Sequence, residues 1–147
     1  MIPVRALFRR LTHGLTLGVR AIVVRPDDHV LLVRHSYTPG WHLPGGGVDV
    51  GETAEDAARR ELREEANVTA TGPLTLLGVF FNPGFGGRDH VACYVAPTFS
   101  QGPLPRPNLE IRAVAFFPLQ LMPPDTSPAT VRRLAELRGD VPVGMHW

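Results

Sequence analysis

Three consecutive glycines, Gly45-Gly46-Gly47, lead through Glu52 into the run Arg60-Glu61-Leu62-Arg63-Glu64-Glu65, and no other stretch constrains the fold as strongly. The pattern predicts a helix over Thr53 to Ala66. Thr53 is placed to cap it, with Asp56 three residues on as an approximate capping box. Ala54, Ala58, Leu62 and Ala66 form its apolar stripe. Asn67 can end it, because asparagine tolerates the left-handed backbone that closes many helices. On such a helix Glu61, Glu64 and Glu65 stand three and four residues apart, so their carboxylates crowd one face. Arg60 and Arg63 relieve part of that repulsion, and the remainder invites a hard divalent cation. Mg²⁺ and Mn²⁺ prefer oxygen ligands, with waters and substrate phosphates completing the shell. The glycines let the backbone turn sharply and approach the site, where their carbonyls could add a ligand. Cations beside a pyrophosphate neutralise its charge and make a stronger nucleophile of water. The plainer alternative is a solvated face of charges.

The rest of the chain reads as strands with helices interspersed. Leu17 to Arg25 and His29 to His35 are rich in β-branched residues, and Pro26-Asp27-Asp28 between them is turn chemistry, so a hairpin is expected. A loop of helix breakers runs from Thr38 to Gly51. Further strands are expected at Leu74 to Phe81, His90 to Ala96 and Ile111 to Phe117, with a loop over Gln101 to Asn108. Ser127 and Pro128 cap and open a second helix to Leu137. The fold class is therefore α/β, in the α+β sense, with a mixed β-sheet flanked by helices. Residues 17–147 read as one domain and residues 1–16 as a basic amphipathic segment. In that segment Val4, Leu7, Phe8 and Leu11 lie at helical spacing between arginines. It is expected to dock on its own domain or on a partner subunit, which makes a homodimer one expected state. A membrane surface is the weaker alternative.

Composition narrows the function classes. The formal net charge of the 147 residues is +1, too small to draw the protein onto nucleic acid or a membrane. Cys93 is the only cysteine and lies in an apolar run, which makes it a buried thiol rather than a nucleophile. No apolar stretch approaches the roughly 20 residues of a membrane span. His13 and Arg20 interrupt any signal-peptide core, so the expected location is cytoplasmic.

From Gly46 to Val68 the sequence resembles the Nudix box: Gly, five residues, Glu, seven residues, Arg-Glu, an aliphatic, any residue, Glu-Glu, any residue, Gly, an aliphatic. Gly46, Glu52, Arg60, Glu61, Leu62, Glu64, Glu65 and Val68 all fall on it. Asn67 replaces the second glycine and can take the same left-handed backbone. The resemblance implies the Nudix fold and a metal-dependent pyrophosphohydrolase of the MutT-like kind. It implies that Glu61, Glu64 and Glu65 hold the divalent cations, Mg²⁺ or Mn²⁺, with the carbonyl of Gly45 or Gly46 completing the shell. Glu52 would take a salt bridge from Arg60 and orient the loop, a role that is structural. Members often recruit one more acid from outside the box, as ligand or as base. Glu110 is the candidate here, and an exposed loop glutamate is the alternative.

Residues for the rest of the substrate are Arg34, His35, Arg88, Asp89 and His90, at strand ends or in loops, where phosphate, ribose or base could be met. His90 reads equally as a strand residue bonded to a neighbour, and Arg88 as a surface charge. Trp41 and His42 could stack on a base, although a tryptophan there more often packs on the sheet. Pro83 lies 15 residues past Val68, resembling a proline of members that hydrolyse ADP-ribose, yet Asn82-Pro83-Gly84 is also an ordinary turn. The expected substrate is a small nucleotide: a nucleotide sugar, ADP-ribose or a nucleoside triphosphate. Removal of pyrophosphate from the 5′ end of RNA is the alternative within the enzyme class, disfavoured by the near-neutral charge. A non-catalytic nucleotide sensor is the alternative outside it, and such modules lose box glutamates that this chain keeps.

Overall fold

The computed structural model describes Val4, Phe8, Arg9 and residues 13–147. Of the expected N-terminal amphipathic segment, residues 1–3, 5–7 and 10–12 lie outside the described ones. Eight strands and two helices follow in the order β1 (Thr16–Ile22), β2 (His29–His35), β3 (Gly45–Gly47), α1 (Ala54–Ala66), β4 (Val68–Ala70), β5 (Thr75–Asn82), β6 (Asp89–Val95), β7 (Phe99–Gln101), β8 (Ile111–Pro118) and α2 (Pro128–Leu137). A four-stranded sheet has the order β3-β1-β6-β5, with β1 parallel to β6 and the other pairs antiparallel. β2 pairs with β8, and β4 with β7, both antiparallel.

Strand alternation divides the core in two. Val19 and Ala21 of β1, Leu31 of β2 and Ala92 of β6 face α1, where Ala57, Ala58, Leu62 and Ala66 meet them. Their neighbours Ile22, Leu32 and Cys93 face the other way and pack with Phe80, Leu119 and Leu134 of α2. Each side chain follows from the two-residue period of a strand, and the result is a mixed α+β fold with its sheets between two helices.

The turn at Pro26 to Asp28 forms, closed by Asp28 N–H donating to the Arg25 carbonyl at 3.0 Å, with Asp28 at φ 59°. The expected hairpin does not extend from it. Only Val23, Val24 and Arg25 meet His29, Val30 and Leu31; β1 then joins β6 and β3, while β2 joins β8. Both strands carry apolar residues on two faces, so each is completed by a distant partner.

The helix caps follow the sequence. Thr53 Oγ1 accepts from Asp56 N–H at 3.0 Å, and Asn67 sits at φ 53°, ψ 37°. Asn67 also donates from Nδ2 to the Pro103 carbonyl at 3.0 Å, tying the end of α1 to the following loop. Ser127 Oγ accepts from Thr130 N–H at 3.2 Å and opens α2, with Pro128 in its first turn.

Candidate active site

β3 is the edge strand of the larger sheet and runs along the acidic face of α1. Its glycines are there because two neighbours leave no room. A Cβ at Gly45 would lie 2.0 Å from the Val19 carbonyl oxygen, and one at Gly46 would lie 2.4 Å from Glu61 Oε1. Real Cβ contacts do not reach such distances, so the backbone can lie against the carboxylates only without side chains.

The three box carboxylates divide by exposure. Glu65 is buried: Oε1 lies 2.7 Å from His35 Nε2 and Oε2 accepts from Gly45 N–H at 3.0 Å. Glu61, one turn earlier, is nearly as covered, while the Glu64 side chain is 60% exposed. Burial raises the Glu61 carboxyl above the usual carboxylate range, and the nearby Glu65 charge adds to this.

Arg60 binds the set together. Its guanidinium grips Glu52 with two bonds, Nε to Oε2 at 2.8 Å and Nη2 to Oε1 at 2.9 Å. It also donates to the Gly47 carbonyl at 3.1 Å, Glu61 Oε1 at 2.9 Å and Glu64 Oε2 at 3.3 Å. The two-pronged bond holds the Glu52 carboxyl at about 2, far below its ordinary 4.5, with the Asp49 N–H bond at 3.0 Å adding to the effect.

Among the described residues no three His, Cys, Asp or Glu side chains are grouped closely enough as they stand to hold a metal ion. Arg60 supplies the positive charge between Glu61 and Glu64. The donor set nonetheless fits a hard cation: carboxylate oxygens pressed together at a half-buried site, beside glycine backbone and open to solvent at Glu64. Glu110 is exposed, and its carboxylate makes no hydrogen bond among the described residues. The Tyr37 phenol is raised chiefly by burial; Arg20 lowers it, and Glu65, Glu110 and Glu61 each raise it further.

The substrate candidates scatter. His35 has no exposed side-chain surface, so it meets no substrate directly; it stands behind Glu65 and stacks on Tyr37 at 4.9 Å. That placement stands against the expectation of a substrate-binding His35, and the β2–β8 pairing shifts register between Arg34 and His35. Arg34 is engaged by Asp125 and lies over the Trp41 ring at 5.0 Å. Trp41 packs edge-on against Phe117 at 4.7 Å, and His42 donates to the Pro39 carbonyl at 2.7 Å. Arg88 donates to the Gly14 carbonyl at 3.1 Å. His90 meets Phe81 at 5.7 Å. Strand alternation sends Asp89 to the opposite face from His90. There Asp89 accepts from Thr16 Oγ1 at 2.8 Å and Asn82 Nδ2 at 3.0 Å. Pro83 opens a 3-10 turn over Pro83–Phe85, with Asn82 as its cap.

Two clefts flank these groups. One, of about 340 Å³, is lined by Arg34, Tyr37 and Arg112 among others. The second, of about 250 Å³, is lined by Arg20, Gly46, Asn82, Asp89, Val91 and Trp147 among others. Gly46 thus has Glu61 on one side and this cleft on the other. Asn82 and Trp147 escaped sequence reasoning. Asn82 reads as a turn residue, and nothing in the pattern near Trp147 marks a partner. Cys93 is buried, and burial pushes its thiol up to about 12, which leaves it inert. No helix among the described residues is long and apolar enough to cross a membrane.

The sequence pattern of the NUDIX domain matches residues 14–137. A putative 8-oxo-dGTP diphosphatase of Bacillus subtilis is 41% identical over 76 residues, covering 52% of this chain and 50% of that protein. An RNA pyrophosphohydrolase of Caulobacter vibrioides is 49% identical over 64 residues, 42% of this chain and 36% of that one. The matches therefore span half or less of these relatives' own length. The crystal structure of a MutT NUDIX hydrolase from Burkholderia pseudomallei is 30% identical, with a TM-score of 0.71 over 83% of this chain and 97% of that one. Nudix hydrolases generally use divalent metal ions and act on small nucleotides. The glycine edge, the Arg60 clamp and the acidic helix face all lie within the matched residues, and the chain belongs to the Nudix hydrolase family.

Proposed function

We propose that the chain hydrolyses a phosphoanhydride bond in a nucleoside diphosphate linked to another moiety, such as a nucleotide sugar, ADP-ribose or a nucleoside triphosphate, with Mg²⁺ or Mn²⁺ as cofactor. The observation that carries this reading is the pair Glu61 and Glu65, pressed together against the glycine edge with Glu64 open beside them. Glu61, Glu64 and Glu65 hold the cation, and the carbonyl of Gly45 or Gly46 adds a ligand. The metal, when bound, neutralises the pyrophosphate and sharpens water as a nucleophile. Glu52 and Arg60 fix the loop over the helix. His35 and Gly45 N–H orient Glu65, so that its oxygens present one geometry. Glu110 takes the proton of the attacking water as the phosphorus–oxygen anhydride bond breaks. Its carboxylate is exposed and free of hydrogen bonds among the described residues, as a base requires.

The 5′ end of RNA is the second reading, supported by the Caulobacter relative's name. The formal net charge of +1 weighs against it, since phosphate chains reward a basic surface.

Screening nucleoside di- and triphosphate derivatives and a triphosphorylated RNA with each metal, products identified by mass, tests the reading. Hydrolysis of a small nucleotide is expected. Loss of a partner behind a metal ligand costs about 10–100-fold, so Glu64→Gln or Glu65→Gln should lose more than about 100-fold in turnover with an unchanged fold. Wild-type protein inert on the whole panel, or both variants at full rate, contradicts it.

A further inference from the structure

We propose that Trp147 is a specificity-determining residue: its ring forms the aromatic wall on which the heterocyclic base of the substrate stacks, in the cleft between Gly46 and Asn82. This rests on the hydrolase reading above and names the part of the substrate that the acidic helix face does not touch.

The segment that ends in Trp147 is built into the fold with unusual care. Phe81 N–H donates to the Met145 carbonyl and Trp147 N–H to the Phe81 carbonyl, each at 2.8 Å, so this segment runs parallel to β5 at the sheet edge. Arg133 and Glu136 of α2 form an ion pair, Nε to Oε2 at 2.7 Å, with side chains 1% and 4% exposed. Burying two charges is costly unless their remaining atoms are also satisfied. Here the backbone of the same segment bonds part of the pair, while Arg133 Nε and Glu136 Oε2 face each other without a hydrogen bond. Arg133 Nη1 donates to the His146 carbonyl at 2.9 Å, and Glu136 Oε1 accepts from Gly144 N–H at 3.0 Å. The Arg133 guanidinium lies 3.7 Å from the Phe80 ring centre and 5.3 Å from that of Trp147, and Arg132 bonds the Trp147 carbonyl. Phe80 meets the indole edge-on at 5.9 Å.

Trp147 is thereby held by its backbone, by the Phe80 ring and by the Arg133 guanidinium, yet it stays only partly buried and lines the cleft. Gly18 and Val91, paired neighbours on β1 and β6, give the cleft an apolar part. Its polar part includes Arg20 and Asp89, the latter held by Thr16 and Asn82. An apolar slot with a rigid aromatic wall and a polar end suits a planar ring bearing hydrogen-bonding edges. The cleft, about 250 Å³, takes only part of a nucleotide. Gly46, which lines the cleft, also lies against Glu61, so the cleft borders the strand that carries the carboxylate site.

The test uses the full chain with Trp41→Phe, leaving Trp147 as the one tryptophan, titrated with nucleoside monophosphates in chelator. Saturable quenching of its fluorescence is expected. Trp147→Leu should weaken monophosphate binding, measured by calorimetry, roughly 5- to 100-fold, the scale of one base stacked on one ring. Trp147→Phe should restore most of it. With metal, Trp147→Leu should raise KM for a nucleotide by a similar factor, leave kcat within about 3-fold, and leave a base-free pyrophosphate ester unaffected. Absent quenching, or Trp147→Leu binding as tightly as wild type, overturns the proposal even if hydrolysis is intact. Monophosphate binding that behaves as expected in a protein that hydrolyses nothing sustains the stacking role and sinks the hydrolase reading instead. If Trp147→Leu does not fold, the quenching measurement decides.

Discussion

Arg60 donates to Glu52, Gly47, Glu61 and Glu64, so a single substitution tests how the glycine edge is held to the helix. Arg60→Ala should lower kcat more than it lowers the thermal midpoint, since most of its bonds are part-exposed while the edge they position carries the site. The Glu52 bond has a pH signature. Its carboxyl is depressed from 4.5 to about 2 in the folded protein, so its stabilisation is present above 4.5 and disappears as pH falls towards 2. The thermal midpoints of wild type and Glu52→Gln should therefore differ at neutral pH and converge between 4.5 and 2. His35 offers a second test at this scale. His35→Phe leaves Glu65 Oε1 without its bond and should weaken Mn²⁺ affinity about 10- to 100-fold, and His35→Gln, which keeps a donor, should recover part of it. The crowding of Glu61, Glu64 and Glu65 on one helix face was legible from their spacing, whereas the burial of His35 was not. A histidine at a strand end carries no mark of which way its ring points.

The α1 boundaries could be read from the sequence because caps act locally: Thr53 and Asn67 sit where their chemistry requires. Asn67→Val should destabilise the protein by about 1–2 kcal/mol in chemical denaturation, the cost of a branched side chain in the left-handed region, and Asn67→Gly far less. β2 was legible for a similar reason, with a run of β-branched residues bounded by a turn. The short strands β3, β4 and β7 were not. β3 is three glycines without a side-chain pattern, and the others are three residues long, so each exists only through its partner. The hairpin expected between the first two strands forms over only three residues a side, because pairing across the sheet outweighed nearness along the chain.

Across the whole molecule the sheets separate two cores, and the site lies where the α1 core reaches the edge strand. Leu62, next to Glu61 in the chain, is fully buried in that core. Leu62→Ala should cost about 2–5 kcal/mol in denaturant titrations. The α+β class could be read from element order, but the two-core division needed the sheet topology, which no local pattern encodes. The most direct test of the carboxylate site is a calorimetric titration of Mn²⁺ into wild-type protein and into the Glu61→Gln, Glu65→Gln double variant, each with and without a non-hydrolysable nucleotide. Saturable uptake by the wild type, strengthened by the nucleotide and abolished in the double variant, is the expected result. No uptake by the wild type, or equal uptake by both proteins, would contradict the assignment of Glu61 and Glu65 as metal ligands.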